Sequence, residues 1–167
     1  MRILITGING FIGQHLANAL IKRGHIVLGL GHDKTGVLDR KIVKKATRNV
    51  EIVIHLASLT SHKDIVENKF ETFEINLQGT KNILDAFIKS KKTRKFLYAS
   101  TGKVYGKIVI LPISENHLTN PLNTLGKSKL ITERLIDFYA DNQKEFMIFI
   151  DALAVEISRP HFPDSIV

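Results

Sequence analysis

The sequence predicts an α/β domain, a doubly wound parallel sheet in three layers, and two observations carry that expectation. Short apolar runs alternate with helical patterns along the 167 residues, the mark of parallel strands joined by covering helices. At the N-terminus a strand pattern (RILIT), a glycine triplet (Gly7, Gly10, Gly13) and an amphipathic helix pattern follow one another directly. The composition, 44% hydrophobic and 24% charged, is that of a globular protein, and the length suits one domain over 1–167.

Strands are expected at Arg2–Thr6, His25–Leu30, Glu51–Ala57, Lys95–Ser100 and Phe146–Ala152. Between the first two, Phe11–Arg23 carries Phe11, Leu16, Ala19 and Leu20 at helical spacing, and Gly24 stops it. Asp64–Lys92 reads as helix over much of its length, with Ile75, Leu77, Ile83, Leu84, Phe87 and Ile88 on its apolar face and Gly79 weakening its middle. Thr124–Asn142 reads as another helix, with Leu125, Leu130, Ile131, Leu135, Ile136 and Phe138 facing inward. The segment Gly31–Arg48 holds a glycine-flanked turn (GHDKTG) and a basic helical stretch, where such a sheet normally places a further strand. It either hides a weak strand at Ile42–Val43 or is a shortened crossover that leaves the sheet edge after the second strand short, and the latter is the reading taken.

The absence of cysteine excludes disulfides and thiolate metal sites and fits a reducing compartment, so the cytoplasm is the expected location. The seven histidines show no i, i+4 pairing, and no metal site is expected. Neither a signal peptide nor an apolar run long enough for a membrane span is visible. The net charge of +8 gathers at Lys41–Arg48 and Lys89–Lys95. Those runs lack interleaved aromatics and match no nucleic-acid module, so a solvated basic face is preferred to a nucleic-acid surface.

Each glycine of the triplet has its own reason. Gly7 permits a sharp turn, Gly10 lets the backbone approach a pyrophosphate, and Gly13 lets the helix pack closely on the sheet. The helix N-terminus then offers unpaired N–H groups and a positive dipole end to phosphates. Asp33 lies about 20 residues beyond, where an acid would hold ribose hydroxyls. It stands two residues past Gly31 rather than at the strand end, and His32 and Lys34 could flank a 2′-phosphate, so NAD is expected and NADP stays open.

Five stretches, TGINGFIG, IHLAS (54–58), EINLQGTKNIL (74–84), FLYASTGKVYG (96–106) and PLNTLGKSKLITERL (121–135), occur in the order and form of the extended short-chain dehydrogenase/reductases. The chain resembles their NAD-dependent sugar-nucleotide epimerase/dehydratase branch over residues 1 to about 155, which implies a Rossmann-type fold. By resemblance, Gly7, Gly10, Phe11, Ile12 and Gly13 cradle the pyrophosphate, and Leu56, Ala57 and Ser58 line the path from adenosine to nicotinamide. Asn76 matches the family's helix asparagine, and Thr101 the hydroxyl residue that bonds the substrate alcohol. Lys129 matches the lysine that holds the nicotinamide ribose and lowers a neighbouring phenol's pKa. The resemblance also implies a nucleotide-sugar substrate, hydride transfer at a sugar hydroxyl, and a homodimer formed through Asp64–Lys92 and Thr124–Asn142.

Three departures stand against full activity. The family's general-base tyrosine, four residues before the lysine, is Leu125 here, and a leucine moves no proton. Neither Tyr98 nor Tyr105 lies at the right offset to replace it. Gly102 and Lys103 follow Thr101 where 4,6-dehydratases carry an acidic pair, and the chain ends at Val167, before the family's substrate lobe. Two readings therefore stay open: a hydride-transferring enzyme of the epimerase/dehydratase type, and a cofactor-binding module without catalysis.

Overall fold

The computed structural model describes residues 1–31, 36–108, 112–140 and 145–150. Strands β1 (Arg2–Thr6), β2 (Ile26–Leu30), β3 (Ile52–His55), β4 (Lys95–Ser100) and β5 (Glu145–Ile150) form one parallel sheet in the order β2-β1-β3-β4-β5. The chain winds from β1 outward to β2, then crosses back over β1 to β3 and continues the other way. The topological switch point therefore lies between the carboxyl ends of β1 and β3, where open α/β sheets bind ligands.

Helix α1 (Phe11–Lys22) covers one face, and α2 (Arg40–Thr47), α5 (Thr80–Lys89) and α6 (Thr124–Ala140) cover the other. Strand alternation divides the core accordingly. In β1, Leu4 joins Val53, Phe96, Tyr98, Ile83, Phe87 and Ile136 on the α2–α5–α6 side, whereas Ile3 and Ile5 join Ile54 and Ala17 beneath α1. Helix α1 ends where the sequence expects. Gly24 takes φ +78°, its N–H donates to Ile21 O, and the next N–H, of His25, reaches Leu20 O, a Schellman closure.

The crossover between β2 and β3 is helical: Asp39 caps α2 by accepting from Lys41 N and Ile42 N, at 2.7 and 3.2 Å. Ile42 and Val43 lie inside that helix, so the weak strand is absent and β2 is the edge among the described residues. The long helix expected over Asp64–Lys92 is divided. It comprises α3 (His62–Glu67), α4 (Lys69–Glu74), a π-helical turn (Ile75–Gly79) and α5. Gly79 marks the end of that turn, and a Cβ there would lie 2.7 Å from Val37 Cγ2, so glycine admits the crossover against the helix.

Some inward assignments fail. Phe11 and Ala19 on α1 are exposed, the buried stripe running through Gly13 and Ala17 instead; on α6, Ile131 and Phe138 point to solvent. Stepped around each helix, Phe11 and Ala19 fall well away from Gly13 and Ala17, and Ile131 and Phe138 well away from Leu125, Lys129 and Ile136, so apolar spacing alone did not mark the buried stripe. Strand and helix ends shift by one to three residues, and the predicted extensions to Ala152 and Asn142 run outside the described residues.

Candidate dinucleotide site

Turn, helix and loops meet at the switch point. Gly7 leaves β1 with φ +69°, donating its N–H to Leu30 O at 2.9 Å, and a Cβ there would stand 2.9 Å from Ala57 N. Gly10 closes the turn by donating to Gly7 O at 3.0 Å. A Cβ on Gly13 would fall on the Gly7 carbonyl oxygen and lie 2.7 Å from Ile8 Cα. Gly13 thus seats the helix on its own preceding loop rather than on the sheet, a correction to the sequence reading.

The first bond of the α1 ladder runs from Gln14 N to Gly10 O, and Gly10 offers no capping side chain. The amides of Phe11, Ile12 and Gly13 therefore lack intrahelical acceptors and point out of the helix start. Gly29 and Gly31, given no part in the cradle by the sequence reading, also shape this end: added Cβ atoms there would meet Ile8 Cγ2 at 2.7 Å and Asn9 Nδ2 at 3.0 Å. The loop therefore lies directly over the β2 end. Asp33 lies outside the described residues.

Leu56, Ala57 and Ser58 leave β3 beside this cradle. Leu56 N donates to Thr6 O, Ala57 N to Thr6 Oγ1 at 3.1 Å, and Ser58 Oγ to Asn76 Oδ1 at 3.0 Å. Asn76, buried in the π turn, uses its whole amide: Oδ1 also accepts from Leu59 N at 2.8 Å, while Nδ2 donates to Leu59 O and Ser128 Oγ. It is a clamp between the β3 loop and α6. Nothing in the sequence reading pointed to Thr6, His55, Thr80 or Ser128, which complete this network; the only available signal was a histidine closing an apolar strand, IVIH.

On the far side of the switch point, Thr101 caps a 3₁₀ turn (Gly102–Val104), accepting from Lys103 N. Helix α6 brackets it. Lys129 Nζ donates to Ala99 O, two residues before Thr101, at 2.8 Å, and a Cβ on Gly126 would lie 2.5 Å from Lys103 O, two residues after it. Asn123 starts this helix by accepting from Gly126 N at 2.8 Å. Lys129 is 5% exposed and sits 4.7 Å over the Tyr98 ring. Burial pushes its pKa down to about 8, against the pull of Glu133, which accepts from Ser100 Oγ and whose own pKa burial raises.

The ammonium donates one of its three protons to Ala99 O; the other two remain for a ligand hydroxyl. Among the described residues no phenol is free beside it, and the nearby Glu133 carboxylate accepts from Ser100 Oγ. Leu125 is buried, Tyr98 is sealed under Lys129 with its phenol pKa driven up by burial, and Tyr105 packs against His117 with its pKa raised by burial, Glu133 and Glu115. The cradle, the clamped loop and the buried lysine fit a dinucleotide: amides for its phosphates, a wall for its ribose, an ammonium for the far ribose hydroxyls.

Of the two basic runs, Lys89–Lys95 reaches a groove at the opposite end of the sheet, where Lys91, Lys92 and Arg94 with Arg2, Asn49 and Glu51 line a volume of about 600 Å³. None of the dinucleotide-site residues lies there. No described helix is long and apolar enough to cross a membrane.

Comparison with known proteins matches residues 3–155 to the model of the NAD dependent epimerase/dehydratase family. A putative UDP-glucose 4-epimerase of Methanocaldococcus jannaschii is 35% identical over 153 residues, covering 82% of this chain and 50% of that protein. The UDP-glucose 4-epimerase of Thermus thermophilus, solved in complex with NAD, superposes with a TM-score of 0.79 at 28% identity, covering 89% of this chain and 54% of that one. RMD of Pseudomonas aeruginosa, complexed with NADPH, gives 0.78 at 30% identity over 88% and 51%. The chain spans about half the length of these relatives.

Proposed function

The chain belongs to the NAD dependent epimerase/dehydratase family, and from that premise we propose that it binds a nicotinamide dinucleotide at the switch point, NAD in preference to NADP. The observation that carries this reading is the uncapped start of α1, seated through Gly13 on the Gly7–Ile8 turn, with Gly7 close against Leu56 and Ala57 after β3. Phe11, Ile12 and Gly13 present amides to the pyrophosphate, Leu56, Ala57 and Ser58 flank the adenosine side, and Lys129 reaches the nicotinamide ribose. Asp33 takes the adenosine ribose. When bound, the nicotinamide supplies a hydride acceptor.

Thr101 and Lys129 would orient a sugar hydroxyl of a nucleotide-sugar substrate, but Leu125 in the tyrosine position cannot take up the hydroxyl proton. The proposal is accordingly a binding domain whose proton transfer must come from elsewhere. Exposed Phe70, Ile131 and Phe138 on α4 and α6 support pairing of two copies through these helices. Calorimetric titration with NAD and with NADP tests the core of the proposal: saturable binding is expected, tighter for NAD, and no binding of either overturns it. Leu125→Tyr separates the two activity readings. A gain in turnover of a nucleotide sugar with added NAD favours an enzyme awaiting its base, and cofactor binding with no gain favours a binding module.

A further inference from the structure

Behind the cradle runs a chain of hydrogen bonds whose direction can be worked out by counting protons. Thr80 Oγ1 lies 2.6 Å from Asn76 O, and a main-chain carbonyl only accepts, so the Thr80 proton is spent there. His55 Nε2, 2.8 Å from the same oxygen, must then be the donor. In a neutral imidazole this leaves Nδ1 as the acceptor, and Thr6 Oγ1, 2.6 Å away, donates to it. The Thr6 oxygen in turn accepts from Ala57 N at 3.1 Å. The order is Ala57 N–H, Thr6 O–H, His55, Thr80 O–H, Asn76 carbonyl, with one tautomer permitted throughout.

The ring is sealed in, 1% exposed, stacked on Tyr98 at 5.9 Å and tilted against Phe96 at 6.0 Å. The charged and titratable groups facing it are Lys129 from α6 and the Tyr98 phenol from β4. Burial and then Lys129 lower its pKa to about 3, so it stays neutral. A valine or isoleucine would suit this strand position better for packing alone. What the histidine adds is reach. It spans from the β1 end to the π turn, where the helical ladder is interrupted and the Asn76 carbonyl takes a side-chain donor. Asn76 itself grips Leu59 and Ser58. The loop leaving β3 is thereby held at Ala57 through Thr6 and at Leu59 through Asn76, and both holds end on the same π turn.

We propose that His55 is a positioning residue for the dinucleotide site: through Thr6 and Thr80 it locks the Leu56–Leu59 loop to the π turn, so that the loop is already in place when the ligand arrives. This rests on the reading above of that loop as part of the dinucleotide path. It involves no contact between His55 and the ligand.

The test uses the full chain, NMR and NAD titration. In the unaltered protein the His55 imidazole should show the Nε2–H tautomer with a slowly exchanging proton at pH 6; an Nδ1–H tautomer or a cationic ring overturns the proposal. In His55→Phe, amide exchange at Ala57 and Leu59 should quicken at least tenfold while Leu4 and Val53 keep their protection, and NAD should bind about tenfold more weakly. Unchanged exchange at Ala57 and Leu59, or equal loss of protection throughout the sheet, would overturn it. Should His55→Phe fail to fold, Thr80→Val keeps the imidazole but removes both its acceptor and the donor to the Asn76 carbonyl, and is expected to abolish the Nε2–H signal and loosen Leu59; retention of both contradicts the chain. His55→Gln, which can still donate towards Thr80, should recover part of the affinity, and recovery of none counts against the chain. If the unaltered protein binds no dinucleotide, the functional reading fails, while the tautomer and exchange results still decide the role of His55.

Discussion

Replacing Lys129 with methionine should make the protein more stable and a poorer dinucleotide binder. The buried ammonium's pKa falls from the ordinary 10.5 to about 8. At about 1.36 kcal/mol per pH unit, carrying that charge in the fold costs about 3 kcal/mol at pH 7. Methionine fills similar volume without charge, but it leaves Ala99 O, now bonded at 2.8 Å, without its donor, which returns about 1 kcal/mol of the gain. A net stabilisation of about 2 kcal/mol is expected at pH 7. The sign with pH follows from the depressed folded-state pKa: between about 8 and 10.5 the unfolded chain binds the proton and the folded one does not, so the lysine form gains stability as pH rises through that window. Urea unfolding of both proteins from pH 7 to 10.5 should therefore show a gap that is constant below about pH 8 and closes above it, contributions from other groups cancelling in the difference. A methionine variant no more stable at pH 7, or a gap that ignores pH, would refute the reasoning. NAD titration of the same variant should show weakened affinity, since the two remaining ammonium protons are lost.

Three further outcomes are expected. His55 has a folded pKa of about 3 against 6.5 unfolded, so the unfolded chain alone binds its proton between these values and stability falls as pH drops below 6.5, by about 2 kcal/mol at pH 5; urea unfolding of His55→Gln should show a shallower acid slope. Gly13→Ala forces a Cβ against the Gly7 and Ile8 backbone and should lose about 2 kcal/mol of stability together with NAD binding, whereas Gly24→Ala, at φ +78° with nothing within 4 Å, should cost about 1 kcal/mol and leave the titration unchanged. Ile131→Glu with Phe138→Glu, both on the exposed face of α6, should shift light scattering after size exclusion from dimer to monomer; an unaltered chain that is already monomeric contradicts the pairing.

The sheet, the order of its strands' partners in sequence and the glycine cradle were legible because each rests on a local pattern: alternation, a stop at Gly24, a triplet between strand and helix. The crossover was legible only in part. Its basic composition suggested a helix, yet the Asp39 cap that starts α2 was not weighed against the weak strand at Ile42–Val43. The site was readable where resemblance marked single residues, such as Asn76, Thr101 and Lys129, and unreadable where its working parts depend on distant partners. Thr6, His55 and Thr80 stand 49 and 25 residues apart in pairs, and no local pattern joins them. Gly126 was likewise read only as part of the stretch PLNTLGKSKLITERL, although its lack of a Cβ lets α6 close on the turn that carries Thr101.

Leu125 and Lys129 point in opposite directions, and the energetics indicate how to weigh them. Lys129 burdens the fold with a buried charge of about 3 kcal/mol, and Gly10 at the α1 start forgoes a side-chain cap worth roughly a few tenths of a kcal/mol. Both costs fall at the same end of the sheet, and a bound dinucleotide would offset both, its ribose hydroxyls taking the ammonium protons and its phosphates the free amides. A domain kept for packing alone would be improved by a methionine and a capping serine there. Leu125, by contrast, is an ordinary buried residue whose only chemical consequence is a missing proton acceptor. The features that cost stability are the ones the proposed dinucleotide would offset, whereas Leu125 only leaves the tyrosine position without a proton acceptor.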